Sequence, residues 1–168
     1  MSDLVTGIRH AKPTDAAAIS QVFDAAWREA YLGIIPGVQL ERMVRRRGPR
    51  WWGLMLRRGR PVAVLDVGKR IVGYASYGAC RDARVGADGE IDELYLMPEY
   101  QGLGLGRRLF RATLNDLRDR FGRRVVVWSL IDNERACAFY ERMGGRAVNR
   151  TTEQIATKPL TKIGYVFS

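Results

Sequence analysis

Apolar residues follow two rhythms along this chain, and the points where one gives way to the other mark the elements. "VTGIRHA" is a short apolar stretch that reads as a strand and ends at Pro13-Thr14-Asp15, where Thr14 or Asp15 can cap a helix. From Ala16, the positions Ile19, Phe23, Ala26, Trp27, Ala30 and Tyr31 recur at helical spacing until Gly33 and Pro36 break the pattern. A second helix is predicted through Val38, Leu40 and Met43. "PVAVLDV" and "IVGYASYG" flank Gly68-Lys69-Arg70 and read as an antiparallel hairpin, since β-branched and aromatic residues surround a glycine turn. "EIDELYLMP" is a further strand whose apolar positions change parity, from Ile91 to Leu94 and Leu96. One slipped residue implies a β-bulge near Asp92 or Glu93; a strand covered on both faces would also account for the pattern.

Phe110, Leu114, Leu117 and Phe121 then mark one face of an amphipathic helix that Gly122 ends. "VVVWSL" at 125–130 has the continuous β-branched character of a buried strand. Ala136, Phe139, Tyr140 and Met143 follow at helical spacing, with Asp132 or Asn133 as cap and Gly144 or Gly145 as terminator. "RAVNR" and "KIGYVF" are two last strands, separated by a polar loop containing Pro159. The predicted order is β-α-α-β-β-β-α-β-α-β-β. Without a repeat, linker or composition break, residues 1–168 form a single domain.

Charge changes this picture less than its size suggests. The formal net charge is +10, from 28 Lys and Arg against 18 Asp and Glu, and it favours polyanionic partners. The densest runs, "RRRGPR" at 45–50 and "RRGR" at 57–60, have only Trp51 and Trp52 as nearby stacking residues and match no nucleic-acid motif. They read as solvated surface, and nucleic acid is disfavoured as a partner. Cys80 and Cys137 lie far apart, and with one histidine, His10, no metal site is expected. Reduced thiols, no signal peptide and no stretch long enough to span a bilayer lead to the expectation of a cytoplasmic protein without a membrane partner.

The most informative stretch is "YQGLGLGRRLF", Tyr100 to Phe110, a glycine turn between a strand and a helix. Such a turn offers open backbone N–H groups and the positive end of a helix dipole, which together suit an anion. A dinucleotide fingerprint would need glycine at Arg107 and an acidic residue about 20 positions on, where Val125, Val126 and Val127 stand. A P-loop would need Gly-Lys followed by Ser or Thr, which Gly106-Arg107-Arg108 does not provide.

Gln101-x-x-Gly104-x-Gly106, between "LYLMPEY" and an amphipathic helix, resembles the pyrophosphate signature of the GNAT superfamily of acyl-CoA-dependent N-acyltransferases. "NERACAFYERMGG" resembles the family's later helix, and "AWREAYLGIIP" its first-helix segment. The resemblance covers most of the chain. It implies an α/β (α+β) GNAT-like fold, with a mixed central sheet of six to seven strands, a splayed and bulged central strand, and about four flanking helices. It further implies acetyl-CoA as co-substrate, no metal, and transfer of an acetyl group to a primary amine of a small molecule or protein.

The resemblance also implies roles for individual residues. Leu94, Tyr95 and Leu96 would receive the pantetheine arm on their backbone. Gln101, Gly102, Leu103, Gly104, Leu105, Gly106 and Arg107 would hold the pyrophosphate, with Arg108 a second candidate for added charge. Asn133 would contact CoA, and Tyr140, seven residues later, would return a proton to the departing thiolate. Trp27, Tyr31 and the "GIIPG" loop lie where relatives build the acceptor site.

A lysine-like amine is neutral in only on the order of one molecule in a thousand at pH 7, so a base is needed. Glu90, Asp92 and Glu93 are the candidates; Glu90 matches the position of the base in histone-modifying relatives, and Glu93 adjoins the bulge. Bacterial ribosomal-protein acetylases carry a glutamate where this chain has Trp128. That departure motivates an alternative, an acyl-CoA-binding member without turnover. Cys137 has no activating partner in sequence and reads as packing. The acceptor stays open, although positive charge at its site would disfavour strongly cationic ones. An exposed strand or the Trp51–Trp52 pair is a candidate homodimer surface.

Overall fold

The computed structural model describes residues 5–155 and 157–168. The chain runs through β1 (Thr6–His10), α1 (Ala16–Tyr31), α2 (Gly37–Arg46), α3 (Pro49–Arg57), β2 (Val62–Val67), β3 (Arg70–Ala79) and β4 (Gly89–Leu96). It continues through α4 (Leu105–Arg120), β5 (Val125–Leu130), α5 (Glu134–Arg142), β6 (Arg146–Ile155) and β7 (Lys158–Phe167). The strands form one sheet in the order β1-β2-β3-β4-β5-β7-β6. Only β4 and β5 run parallel, and the strand–turn–helix unit around the glycine turn supplies their crossover.

Alternation along β3 assigns the two faces of the sheet. Tyr74 points toward α3, where the Trp52 ring lies 4.9 Å from its own. Tyr77, three residues on, points the other way, and its hydroxyl donates to Asp116 of α4 at 2.6 Å. Gly73 shares that second face because any Cβ there would meet Leu96 at 2.5 Å and Leu109 at 3.6 Å. The result is a sheet with α1 and α3 on one side and α4 on the other.

Helix α3 corrects the sequence reading, which predicts about four helices and places a solvated basic run and an exposed tryptophan pair at these positions. Pro49 starts the helix at a position where its missing N–H costs nothing, and Trp52 is 1% exposed. Trp52 is therefore core and offers no surface to a second copy. The strands at the end of the chain are also longer than expected. Pro159 lies inside β7, opposite Gln154 of β6, and is tolerated because β5 pairs with β7 only from Lys162 onward. Asp15 stands at the start of α1, but its carboxylate turns back to accept from the Lys12 N–H at 2.7 Å and from Arg9.

The predicted bulge is present and falls on Asp92. Ser76 pairs with Glu93 and Tyr77 with Ile91, so Asp92 has no partner on β3. On its other edge, β4 pairs with β5 only from Gly89 to Ile91, whereas β5 continues along β7 to Leu130. A bulge adds local twist. Beyond Ile91 the two parallel strands diverge, and the cleft opens between them.

Candidate active site

The open edge of β4 leads directly into the glycine turn. Gly102 and Gly104 have φ of 75° and 79°, a conformation L side chains rarely adopt. The Gln101 side chain braces the turn by donating to the Leu96 carbonyl at 3.3 Å. Gln101 N–H bonds Pro98 and Arg108 N–H bonds Gly104, but the six amides between them, Gly102 to Arg107, donate to no backbone carbonyl among the described residues. These N–H groups sit at the N-terminus of the 16-residue helix α4. Both features favour a diphosphate, and the donor groups present fit that part of CoA.

A cavity of about 890 Å³ extends from this turn, with Leu94, Tyr95 and Leu96 on one side and Asn133, Ala136 and Phe139 on the other. Gln101, Gly102, Gly104, Gly106 and Arg107 of the predicted set line it. Leu103 is exposed and Leu105 is packed in the core, so their side chains take no part and only their amides face the turn's purpose. Arg108 points away, toward Thr6. Asn133 caps α5 by accepting from the Ala136 N–H at 3.2 Å.

A second cavity, about 770 Å³, lies on the α1, α2 and α3 side. Trp27 and Tyr31 line it as expected, together with Trp51, Trp128 and Met43. The two cavities share Leu94, Tyr95, Asn133, Ala136 and Tyr140. Tyr31 and Tyr95 join their hydroxyls at 2.9 Å beside this junction. Tyr140 is 6% exposed and packs among Phe110, Phe139 and Tyr165. Burial pushes its phenol above the usual tyrosine range, so it stays protonated at neutral pH.

The three carboxylates proposed as bases are all held by arginine. Glu93 forms a bidentate pair with Arg47, whose Nη1 lies 2.9 Å from Oε2. Arg47 is in turn enclosed by Phe23, Trp51 and Trp52, with its guanidinium carbon 4.3, 4.2 and 4.9 Å from their ring centroids. Asp92 accepts from Arg60 and Arg81, and Glu90, only 4% exposed, lies behind the same two arginines. Asp92 and Glu93 line the second cavity, whereas Glu90 lines neither. Of the sequence candidates, Glu90 is the one the structure removes from the cleft.

Arg42, Arg46, Arg47, Arg60 and Arg81 all line the second cavity; Arg46, Arg47 and Arg60 belong to the basic runs read from sequence as surface. The two adjacent tryptophans Trp51 and Trp52, four and five residues after Arg47, were the available signal for it. Cys137 is half-buried and its thiol donates to the Leu130 carbonyl at 3.5 Å, with no histidine beside it. No helix among the described residues is long and apolar enough to cross a membrane.

Residues 19–145 match the family model described as acetyltransferase (GNAT) family. The chain is 29% identical over 157 residues to an uncharacterized N-acetyltransferase, YuaI, of Bacillus subtilis, covering 94% of this chain and 90% of that one. It is 28% identical over 151 residues to the L-amino acid N-acyltransferase MnaT of Escherichia coli, covering 90% and 85%. Its fold matches a crystal structure of the PaiA N-acetyltransferase of Thermoplasma acidophilum in complex with coenzyme A, with a TM-score of 0.77, 16% identity, and coverage of 95% and 98%. The splayed parallel pair, the open glycine turn and the matched span agree: the chain belongs to the GNAT acetyltransferase family.

Proposed function

We propose that this protein transfers an acetyl group from acetyl-CoA directly to the primary amine of an acceptor bound in the second cavity. The observation that carries the reading is the junction: the cavity leading from the glycine turn and the cavity on the α1–α3 side meet at Leu94, Tyr95, Asn133, Ala136 and Tyr140. A thioester entering from one side and an amine from the other would meet there, within one enclosure. The name of MnaT, which shares 28% identity over most of the chain, supports a small-molecule acceptor.

Acetyl-CoA supplies the activated acyl group; the rest of the chemistry falls to this chain. The amides of Gly102 to Arg107 hold the diphosphate, and the free edge of β4 from Leu94 to Leu96 aligns the pantetheine arm. Tyr140, a phenol that burial raises further above neutrality, donates to the departing sulfur. Asp92 and Glu93 are the carboxylates of the acceptor cavity that stand beside the junction, each paired with arginine. They attract the ammonium form of the acceptor and receive its proton, directly or through water, as it enters. Cys137 is not used, and no acyl-enzyme is formed on it.

The locked carboxylates also favour a second reading, an acyl-CoA-binding member without turnover. Thiol release from acetyl-CoA, measured with a panel of small amines and peptides, separates the two. Acceptor-dependent release that Tyr140→Phe strongly reduces supports transfer. Tight CoA binding with no release for any acceptor would leave only the binding reading.

A further inference from the structure

We infer that Glu90 is a positioning residue: acting through Arg60 and Arg81, it locks the bulge at Asp92 and thereby fixes the register of Leu94 to Leu96. The inference rests on the assignment of the pantetheine arm to that edge of β4. Glu90 is 4% exposed and lines neither cavity, so the transfer reaction leaves it without a task. A buried carboxylate is costly unless it is paired, and this one is paired twice. Arg60 Nη2 donates to Glu90 Oε1 at 3.2 Å and to Asp92 Oδ1 at 2.9 Å, while Arg81 gives Nε to Glu90 and Nη2 to Asp92, each at 2.5 Å. The Arg81 backbone N–H adds a further bond to Glu90 Oε1 at 3.3 Å. Each arginine thus spans both carboxylates, and two cations and two anions close a ring with no net charge.

The ring sits where the backbone ladder is weakest. Asp92 has no partner on β3, and β4 leaves β5 after Ile91, so at Asp92 neither edge of the strand holds the register. The arginines come from the paired part of the sheet. Arg60 precedes Pro61, whose carbonyl accepts from the Tyr77 N–H at 3.1 Å, and Arg81 follows Cys80, whose N–H donates to the Asp88 carbonyl at 3.0 Å. Gly78, directly opposite Glu90, gives Arg60 its passage, because a Cβ there would lie 2.6 Å from Arg60 Nη1 and 2.9 Å from its Cζ. Side chains and N–H groups both alternate along a strand. A slip of one residue beyond Ile91 would therefore turn the amides that face the cleft toward β3 and carry Glu93 and Tyr95 to the opposite face. Tying Asp92 to Glu90, which is itself in register with Gly78 and Val126, prevents that slip.

Glu90→Gln and Gly78→Ala test the inference, the second because it displaces the Arg60 guanidinium while leaving every carboxylate in place. Isotope-labelled protein is titrated with CoA, and backbone amide shifts are followed by NMR well below each thermal midpoint. Both variants are expected to bind CoA about tenfold more weakly, the loss of one or two hydrogen bonds along the strand edge. At saturation, Gly102 to Arg107 should shift as in the parent protein, whereas Leu94 to Leu96 should not. The double variant should bind within about twofold of the weaker single one, since both changes open the same ring. Parent-like affinity with parent-like shifts at Leu94 to Leu96 would overturn the inference. Loss of the turn and the edge together would overturn it too, because that is what a merely structural role predicts. If CoA fails to move Leu94 to Leu96 in the parent protein itself, the assignment of the arm to β4 falls and this inference with it.

Discussion

The two halves of the cleft are built from different material. The half proposed for the acyl donor is backbone: the turn from Gly102 to Arg107 and the free edge of β4 offer amides. The half proposed for the acceptor is side chain: aromatic rings from α1 and α3, arginines from α2 and from the segments before β2 and after β3, and carboxylates from β4. Backbone recognition requires only that glycine stand where φ is positive, so a short motif suffices to specify it. Side-chain recognition depends on which distant residues the fold brings together. A family can therefore keep one donor half while changing the other.

The largest effect should come from the junction, where the halves meet. Tyr140→Phe is expected to lower kcat by about a hundred- to ten-thousandfold, the range of general acid catalysis, with acetyl-CoA affinity held within about twofold. Steady-state kinetics beside calorimetry check it. An unchanged kcat would remove Tyr140 from the chemistry and leave it as packing among Phe110, Phe139 and Tyr165.

Within the acceptor half, Glu93→Gln strips the partner from Arg47, a side chain only 21% exposed and enclosed by three aromatic rings. A loss of about 3 kcal/mol in unfolding free energy is expected, measured by urea denaturation. Loss of activity with stability intact would instead mark Glu93 as a group that acts on the acceptor. The matching change in the donor half is Gly104→Val. Forcing a β-branched residue to the φ of 79° should cost about 2 kcal/mol and weaken acetyl-CoA binding roughly thirtyfold. If binding is untouched, the turn is not what holds the diphosphate.

The smallest effect is nil at neutral pH and appears only in alkali. Tyr31, Tyr74, Tyr95 and Tyr140 cluster on the acceptor face and at the junction, and burial raises each phenol above the ordinary 10.0. Below that value both folded and unfolded chains keep these protons, and the contribution to stability is fully present. As pH rises from 10 toward the raised values, the unfolded chain ionises first and stability is lost. Thermal melts from pH 8 to 11 should show a decline beginning near 10, less marked in Tyr74→Phe.

The predicted elements are largely those found, because the rhythms of α1, α4 and β5 reflect burial that those segments experience in any packing on a sheet. Even the bulge was visible as a one-residue change of parity, since Asp92 shifts every later side chain to the other face. Helix α3 was not visible: nine residues carrying Gly53 and two tryptophans beside a run of arginines have no clear period of their own. Its helicity follows from Trp52 packing on Tyr74 and Phe23, a contact between residues far apart in the chain. That Glu90 lines neither cavity has a related reason. Glu90 lies on β4, but Arg60, from the segment before β2, and Arg81, from the segment after β3, cover it.

By itself, the sequence determined the glycine turn of the proposed donor side, whose spacing excludes the two nucleotide loops, and the helix after it, whose dipole suits a phosphate. That information is local, since the turn, its glycines and its helix are consecutive residues. Only the tertiary structure decided the character of the second cavity, the proposed acceptor side. Arg46, Arg47 and Arg60 of the basic runs join Arg42, Arg81 and Lys162, on folding, in the wall of a cavity where four cations are paired and, among the described residues, Arg42 and Arg46 are not. Charge is a property of composition, but whether a charge is matched depends on which residues share a space, and that is settled by packing.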